Sequence, residues 1–516
     1  MPAAGSILLV MADQLSATWV EHGRSGAVPL PNISRLQSLG TTFTRAFTNN
    51  PVCCPARATI ATGLTAHGHG VLECGYRLDP SIPTFMNALR RDGWMTSAVG
   101  KVHLLPQLEG VRPDYRPYGF DVLDVSEDPR AGAWLDWVKE RHPEHYSAAL
   151  STVWMTMVPE LRKYGPHDSD LVSEIAAARD VTRFWSPEMP DADERAYVLP
   201  FPAEVSQTEW ITTRASAVLK SAPRTKRLFL QVGYVQPHDP FSPPSEYVSR
   251  VTGVPQPITA EWIDDAEAPA AFRSDPNTVT AASASRVRHL RRMYFADLAH
   301  LDAQLGCLLA ELEAVGRLED TYIIFTSDHG ELLGDHGFLG KWGRHYDACI
   351  RIPLVISGPG FARGLVRDEL VDLTDIAPTI YAMARLDPPS LPVLARGPNG
   401  GEEMPALPGR SLLSLASDHV DGWRDAVYVE SDNPYWSTSI RGWARTIRTA
   451  THRYTRFGDG GEQLFDLTSD PDELNNIAPL PAAAASRDAL VTRLVGLLMA
   501  QDYPPTPRSL YKVLGW

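Results

Sequence analysis

The residues with most chemical potential lie in Pro51-Val52-Cys53-Cys54-Pro55-Ala56-Arg57-Ala58-Thr59-Ile60-Ala61-Thr62-Gly63. This run joins a soft nucleophile precursor, a proline, a guanidinium and then a helix-like stretch. Pro55 fixes its own φ and favours an extended Cys54. The spacing therefore predicts Cys53 just before a helix N-terminus, where free N–H groups and the dipole favour anions. Arg57, in the first turn, adds a permanent forked positive charge. That arrangement suits an oxyanion held beside a reactive side chain. A reduced cysteine pair packed under a helix is the plain alternative.

Four other places put reactive groups just after apolar runs. Ile7–Met11 leads to Asp13-Gln14, and Met95–Gly100 leads to Lys101-Val102-His103. Leu228–Val235 leads to Gln236-Pro237-His238, and Tyr322–Ser327 leads to Asp328-His329-Gly330-Glu331, with Lys341 beyond. Short continuous apolar runs are the mark of buried parallel strands, and α/β enzymes place their chemistry at the carboxyl ends of such strands. Alternation in an extended segment would turn Lys101 and His103 to one side, as a clamp for an anion.

The elements around them predict an α/β protein with a large, mostly parallel central sheet sandwiched by helices. Leu290, Tyr294, Leu298, Leu301, Leu305, Leu308 and Leu312 fall three or four apart, so about 283–316 reads as one long helix with a core-facing stripe. Residues 104–225, with Trp134, Trp137, Trp154, Phe184 and Trp185, lack clean periodicity and read as an insertion that shapes a substrate pocket. The Pro- and Gly-rich stretch 386–410 reads as a linker or long loop. Short β-like pieces (Ala426–Glu430, His452–Arg456, Leu464–Leu467) and a final helix then give a small C-terminal α+β subdomain. The expected division is 1–410 for the catalytic domain and 411–516 for the subdomain.

The chain has 516 residues, 44% hydrophobic and 21% charged, with a formal charge of −14. The acidic balance excludes a nucleic-acid groove and bulk affinity for acidic membranes, but not a local anion pocket. No stretch is apolar enough to span a bilayer, and Ser6–Met11 is too short, with no basic lead, for a signal peptide. Five cysteines (Cys53, Cys54, Cys74, Cys307, Cys349) follow no disulfide spacing, which points to a cytoplasmic setting. A homo-oligomer is compatible with all of this.

Cys-x-Pro-x-Arg followed by Thr62-Gly63 resembles the signature of the type I sulfatases, in the alkaline phosphatase superfamily. Other pieces follow in that family's order: Pro31-Asn32-Ile33-Ser34-Arg35-Leu36, Lys101-x-His103, Pro237-His238-Asp239-Pro240-Phe241, Asp328-His329-Gly330, Lys341, Arg351–Ile356 and Val371–Thr379. The resemblance spans roughly 5–480. It implies that a separate formylglycine-generating enzyme converts Cys53, not Cys54, to an aldehyde that hydrates to a gem-diol. It also implies one divalent ion, Ca²⁺ first and Mn²⁺ or Zn²⁺ as alternatives, held by Asp13, Gln14, Asp328, His329 and residue 53. Most sulfatases carry Asp where Gln14 stands and Asn where His329 stands. The Gln14/His329 pair instead resembles the choline sulfatase and phosphonate monoester hydrolase branches.

The implied reaction is hydrolysis of a small organic sulfate ester by way of a covalent sulfo-enzyme. Asp328 would take a proton from the gem-diol, and Lys101, Arg57 and Lys341 would stabilise the non-bridging oxygens. His238, with Lys341, would protonate the departing alcohol, and His103 would free the sulfate. Phosphonate monoester or phosphodiester hydrolysis fits the same residues. A binding protein on a decayed fold fits less well, since every expected position is filled. Glu73-Cys74-Gly75-Tyr76 departs from the family and would border the pocket. The tryptophans read as core more readily than as a cage for a quaternary ammonium.

Overall fold

The structure is a computed structural model describing residues 5–500 apart from 107, 188, 190–193, 258–283, 389–406, 417–421 and 433–442. The centre of the expected linker, 386–410, and the start of the expected long helix thus lie outside the described residues. Nine strands form the main sheet: β1 (Ser6–Ala12), β2 (Gly40–Phe47), β3 (Met95–Gly100), β4 (Val122–Val125), β5 (Leu228–Gly233), β6 (Thr321–Ser327), β7 (Arg351–Ser357), β8 (Leu365–Arg367) and β9 (Val371–Asp372). Their order is β4-β3-β5-β1-β6-β7-β2-β8, with β9 also beside β2. The run from β4 to β6 is parallel throughout, while β7 is antiparallel to both its neighbours.

Why the apolar runs become strands is plain from their burial. Ile7, Leu8, Leu9, Val10 and Met11 are buried, as are Ile323, Ile324 and Phe325 beside them. A strand covered on both faces has no polar side to show, so its sequence loses alternation. The helices form a layer on each face. On one, Leu8, Val10 and Leu230 pack with Leu290, Tyr294, Leu298, Leu301, Leu305, Leu308 and Leu312 of the helix Ala284–Ala314. The expected stripe is therefore buried in full. On the other, Ile7, Leu9 and Ile324 pack with Ile60, Phe85 and Ile380.

The stretch 104–225 is less separate than an insertion. It supplies the edge strand β4, paired in parallel with β3, and the helix Gln207–Ser221, whose Trp210, Ile211 and Ala215 enter the first core. Trp134 is core, donating its indole N–H to the Val205 carbonyl, and Trp137 packs against the same cluster. At the far end Leu412, Leu415 and Ala416 pack into the second core, and a separate antiparallel sheet follows. Its strands are β10 (Ala426–Ser431), β11 (Ala444–Thr449), β12 (His452–Phe457) and β13 (Glu462–Asp466). The helix Ala484–Ala500 closes it, with Leu490 and Leu494 on Ile447 and Tyr454. Val427 and Val429 dock this sheet on Phe47, Ile350 and Leu370 of the larger part.

Two glycines set how the strand ends lie. Gly100 and Gly233 are paired across β3 and β5, and Gly100 has φ +79°. A Cβ on Gly233 would lie 1.9 Å from the Lys101 carbonyl oxygen, and one on Gly100 would lie 2.1 Å from the Gly233 carbonyl oxygen. Backbone approaches this close exclude every side chain. Gly233→Ala should therefore cost about 1–3 kcal/mol in urea unfolding, the usual range for overpacking. It should also lower kcat/KM, because relief requires displacing Lys101. Unchanged stability and activity would mean that the strand ends yield without cost.

Candidate functional site

Because β3, β5, β1 and β6 are adjacent and parallel, their carboxyl ends open side by side. The first delivers Lys101 and His103, the second His238, the third Asp13 and Gln14, and the fourth Asp328 and His329. β2 runs the same way and leads into the helix Cys53–Thr62. The helix begins two residues earlier than an extended Cys54 would allow: Val52, extended, is the N-cap, and Cys53 and Cys54 are both helical. The expectation of an extended Cys54 is thus overturned. Pro55 falls in the first turn, where its missing N–H had no intrahelical partner to lose, so its local preference is overridden. Gly63, at φ +75°, ends the helix.

All ten residues singled out in the sequence are buried, and they converge. Arg57 lies between two carboxylates: Nε donates to Asp328 Oδ2 at 2.8 Å and Nη2 to Asp13 Oδ2 at 3.2 Å. Its Nη1 donates to the Lys101 carbonyl at 3.1 Å. Every nitrogen of Arg57 is therefore engaged by protein. Lys101 forms an ion pair with Asp13 and another, at 2.5 Å, with Asp128. His103 Nδ1 stands 3.8 Å from Asp128 Oδ2. Lys101 and His103 do meet, but not by strand alternation, since β3 ends at Gly100 and His103 has φ +57°. Glu127 holds the turn by accepting the Val102 and His103 backbone N–H groups, both at 3.1 Å.

Cys53 Sγ is the focus. It lies 2.9 Å from Lys341 Nζ, 3.2 Å from His329 Nε2 and 3.7 Å from Asp13 Oδ1. Lys341 Nζ also reaches His238 Nε2 at 3.1 Å and His329 Nε2 at 3.0 Å. Each histidine turns Nδ1 to a carbonyl, His329 to Gly330 at 3.0 Å and His238 to Asp239 at 2.6 Å. That contact fixes the tautomer and points Nε2 inward.

The electrostatics follow from burial working against these pairings. Burial and the Cys53 sulfur oppose ionisation of Asp13, yet Lys101, His238 and Arg57 hold it well below the usual carboxylate range. Burial likewise opposes the Cys53 thiolate. The Cys74 thiol and the Lys101, Lys341 and His329 charges pull it well below the usual thiol range. Burial and Lys341 push His238 down, while Asp13, the Cys53 sulfur and Asp239 raise it, to about 9. Burial lifts Glu73, beside the site, to about 7.

Asp13, Cys53, Asp328 and His329 each offer one ligand atom, and these lie within 4.8 Å of one another. Gln14 strengthens the fit to a cation. Its Nε2 donates to Glu331 Oε2 at 2.5 Å, while its Oε1 is buried with no hydrogen-bond partner among the described residues. An orphaned buried amide oxygen beside two carboxylates is what a hard cation takes up. Sequence reasoning missed Asp128, Glu127 and Glu331. Asp128 and Glu127 were within reach of the rule used for Asp13, since they follow β4, but that strand was not recognised. Trp154 was named only as one tryptophan among several. Its ring lies beside His238, tilted by 30° with centroids 5.8 Å apart.

Fold and site together define a hydrolase of the alkaline phosphatase superfamily, with its chemistry at the carboxyl edge of a mostly parallel sheet. The chain belongs to the sulfatase family: residues 6–386 match Sulfatase, and 334–499 match N-sulphoglucosamine sulphohydrolase, C-terminal. It is a sulfatase-type enzyme. It is 25% identical to an arylsulfatase of Clostridium perfringens, over 92% of this chain and 90% of that one. It is 28% identical to the multifunctional alkaline phosphatase superfamily protein PehA of Trinickia caryophylli, over 93% and 92%. Among solved structures it is similar to the phosphonate monoester hydrolase of Agrobacterium radiobacter, with TM-score 0.75, 25% identity and 96% of each chain covered.

Arg57 gives the sharpest test of this geometry. Removing one partner of a buried ion network costs about 3–5 kcal/mol. Arg57→Ala should lower the urea midpoint accordingly, and Arg57→Lys should rescue little, because an ammonium cannot reach both carboxylates and the Lys101 carbonyl as a fork does. Rescue by lysine to near wild-type stability would mean that only the charge matters.

Proposed function

We propose that the enzyme hydrolyses a small organic sulfate ester, using residue 53 as formylglycine. The observation that carries this reading is Lys341 Nζ, in contact with both Cys53 Sγ and His238 Nε2. One cation thus bridges the position of the nucleophile and the position from which a leaving group would be protonated. The sulfur marks where the hydroxyls of the hydrated aldehyde would stand. Asp13, Gln14, Asp328 and His329 would hold one divalent ion, Ca²⁺ by its oxygen donors, with Mn²⁺ or Zn²⁺ admitted by the imidazole. When bound, such an ion lowers the pKa of a hydroxyl and neutralises charge on the ester.

The chain's own groups divide the remaining work. Arg57, bonded to Asp13 and Asp328, is assigned first to holding the two carboxylates in place. Lys101, between Asp13 and Asp128, keeps the ammonium beside the non-bridging oxygens. Lys341 stabilises the ester and the departing oxygen. His238 gives its proton to that oxygen. His103, held near Asp128, takes the proton that lets sulfate leave. Asp328 takes the first proton from residue 53. Trp154 walls the leaving-group side of His238.

Phosphonate monoester hydrolysis is the second reading, favoured by the Gln14/His329 pair and by the fold similarity to the Agrobacterium radiobacter enzyme. This reading includes a cytoplasmic setting, supported by five cysteines that are all free. No helix among the described residues is long and apolar enough to cross a membrane. The partners of this reading are a small anionic ester and the enzyme that converts Cys53; the division into a catalytic part and a C-terminal subdomain is retained.

The deciding experiment is a turnover screen of sulfate esters, phosphodiesters and phosphonate monoesters, on protein whose Cys53 conversion is checked by peptide mass. The aldehyde should appear on Cys53 and not on Cys54, and sulfate esters should have the higher kcat/KM. Phosphonate or diester turnover faster by more than about tenfold, or 1.4 kcal/mol, would select the second reading. Full activity with an intact thiol would remove the mechanism. A second test concerns metal: Asp13→Ala and Asp328→Ala should each lose the bound ion, seen by elemental analysis, together with turnover. A third uses pH. His238 must carry its proton, so activity should be present below about 9 and fall as pH rises through it. In His238→Asn that alkaline limb should vanish along with most of kcat; an unchanged limb would assign it to another group.

A further inference from the structure

Beside Cys53 lies a second group of donors, of which the proposed reaction uses only His103. Cys54 Sγ, Cys74 Sγ and a ring nitrogen of His103 lie within 4.8 Å of one another. Cys54 and His103 are buried and Cys74 is half-buried, so the group has one wall towards solvent. Cys54 is carried by the first turn of the helix Cys53–Thr62. Cys74 comes from the turn beyond it, its N–H bonded to Glu73 Oε1 at 3.0 Å. His103 is fixed through its backbone, whose N–H is shared by Tyr115 Oη and Glu127 Oε1, each at 3.1 Å.

The independent observation is the state of the His103 ring. It is 2% exposed, and neither nitrogen makes a close hydrogen bond to oxygen or nitrogen among the described residues; its nearest partners are the Cys53 and Cys54 thiols and, at 3.8 Å, Asp128. A buried imidazole whose nearest partners are thiols is placed to share a soft cation with them. The Cys54 sulfur faces both other members of the group, the Cys74 thiol and the His103 ring, beside long contacts to the Cys74 and Leu105 carbonyls at 3.8 and 3.7 Å.

We propose that Cys54, Cys74 and His103 form a soft-metal site for Zn²⁺, distinct from the carboxylate site, and that filling it inhibits the enzyme. Two sulfurs and one imidazole are a donor set typical of zinc, with the fourth position left to water. Ligands about 2.0–2.3 Å from a tetrahedral ion stand about 3.3–3.8 Å apart, so the three atoms need little movement to close on one. Two thiolates balance the dication, which matters beside Lys101 and Lys341. Hard Ca²⁺ gains nothing from sulfur, so the two sites sort ions by softness. Inhibition follows because the ion occupies the His103 lone pair, and that consequence rests on the proton-accepting role proposed for His103.

The test uses the converted enzyme with Ca²⁺ in excess. Zinc-edge X-ray absorption of the wild type at one Zn²⁺ per chain should report two sulfurs and a nitrogen; a shell of oxygen and nitrogen only would overturn the site. With Co²⁺ in place of Zn²⁺, a thiolate-to-cobalt charge-transfer band should appear and be lost in Cys74→Ser and in Cys54→Ser. A band that persists in both would equally overturn it. In turnover assays Zn²⁺ should inhibit the wild type, with at least a tenfold weaker effect on Cys74→Ser, each protein being compared with its own zinc-free rate; equal inhibition of the two would overturn the proposal. A wild type that shows the band and the sulfur shell but stays active would retain the metal site. It would sink the inhibition and, with it, the role given to His103.

Discussion

Charge buried without water decides the architecture of this site. Asp13, Asp128 and Asp328 meet Arg57, Lys101 and Lys341 in the space where five strand ends and a helix start converge, and all six are essentially inaccessible. A charge in such a place persists only if it is paired and hydrogen-bonded. Arg57 ties β1 to β6 through the two carboxylates and to the turn after β3 through the Lys101 carbonyl. Lys101 extends the network to the residues after β4 through Asp128. The network is thus also a clamp on strand order, joining the ends of segments separated by more than 300 residues.

Around it a ring of neutral and acidic groups spends itself on backbone. Glu127 fixes the turn that carries His103, and Glu331 accepts the Leu333 and Gly340 N–H groups at 2.9 and 2.6 Å while holding Gln14. Such partners restrict the rotamers of the groups that touch substrate, and a site held this way loses less on forming the transition state. The Gly100–Gly233 contact serves the same end by letting two backbones meet where no side chain fits.

For an anionic ester, the consequence is that positive charge is unevenly available. Arg57 is tied to two carboxylates and a carbonyl, and Lys101 is shared by two carboxylates. Lys341 alone of the three faces the Cys53 sulfur, His238 and His329 together. Discrimination between a sulfate ester and a phosphonate monoester, each carrying one negative charge, then depends less on counting cations than on the shape around the leaving group.

Much of this could be read before any coordinates. Burial on both faces leaves a continuous apolar run, so β1, β3, β5 and β6 announce themselves, and the reactive residues sit just past their ends. The 3.6-residue stripe from Leu290 to Leu312 is equally local. A proline and a glycine signal the helix Cys53–Thr62, although the start lies two residues earlier because tertiary packing outweighed the preference of the residue before Pro55. What the chain could not announce are facts of juxtaposition. Whether Arg57 faces substrate or carboxylate depends on strand order. So does the meeting of Gln14 with Glu331, 317 residues away. β4 escaped notice because Val122–Val125, only partly buried at the sheet edge, has no continuous apolar signal, and Asp128 went unseen with it. The pairing of Cys54 with Cys74 and His103 is likewise a property of the folded chain, since 20 residues and a turn separate the two thiols and only packing returns one to the other.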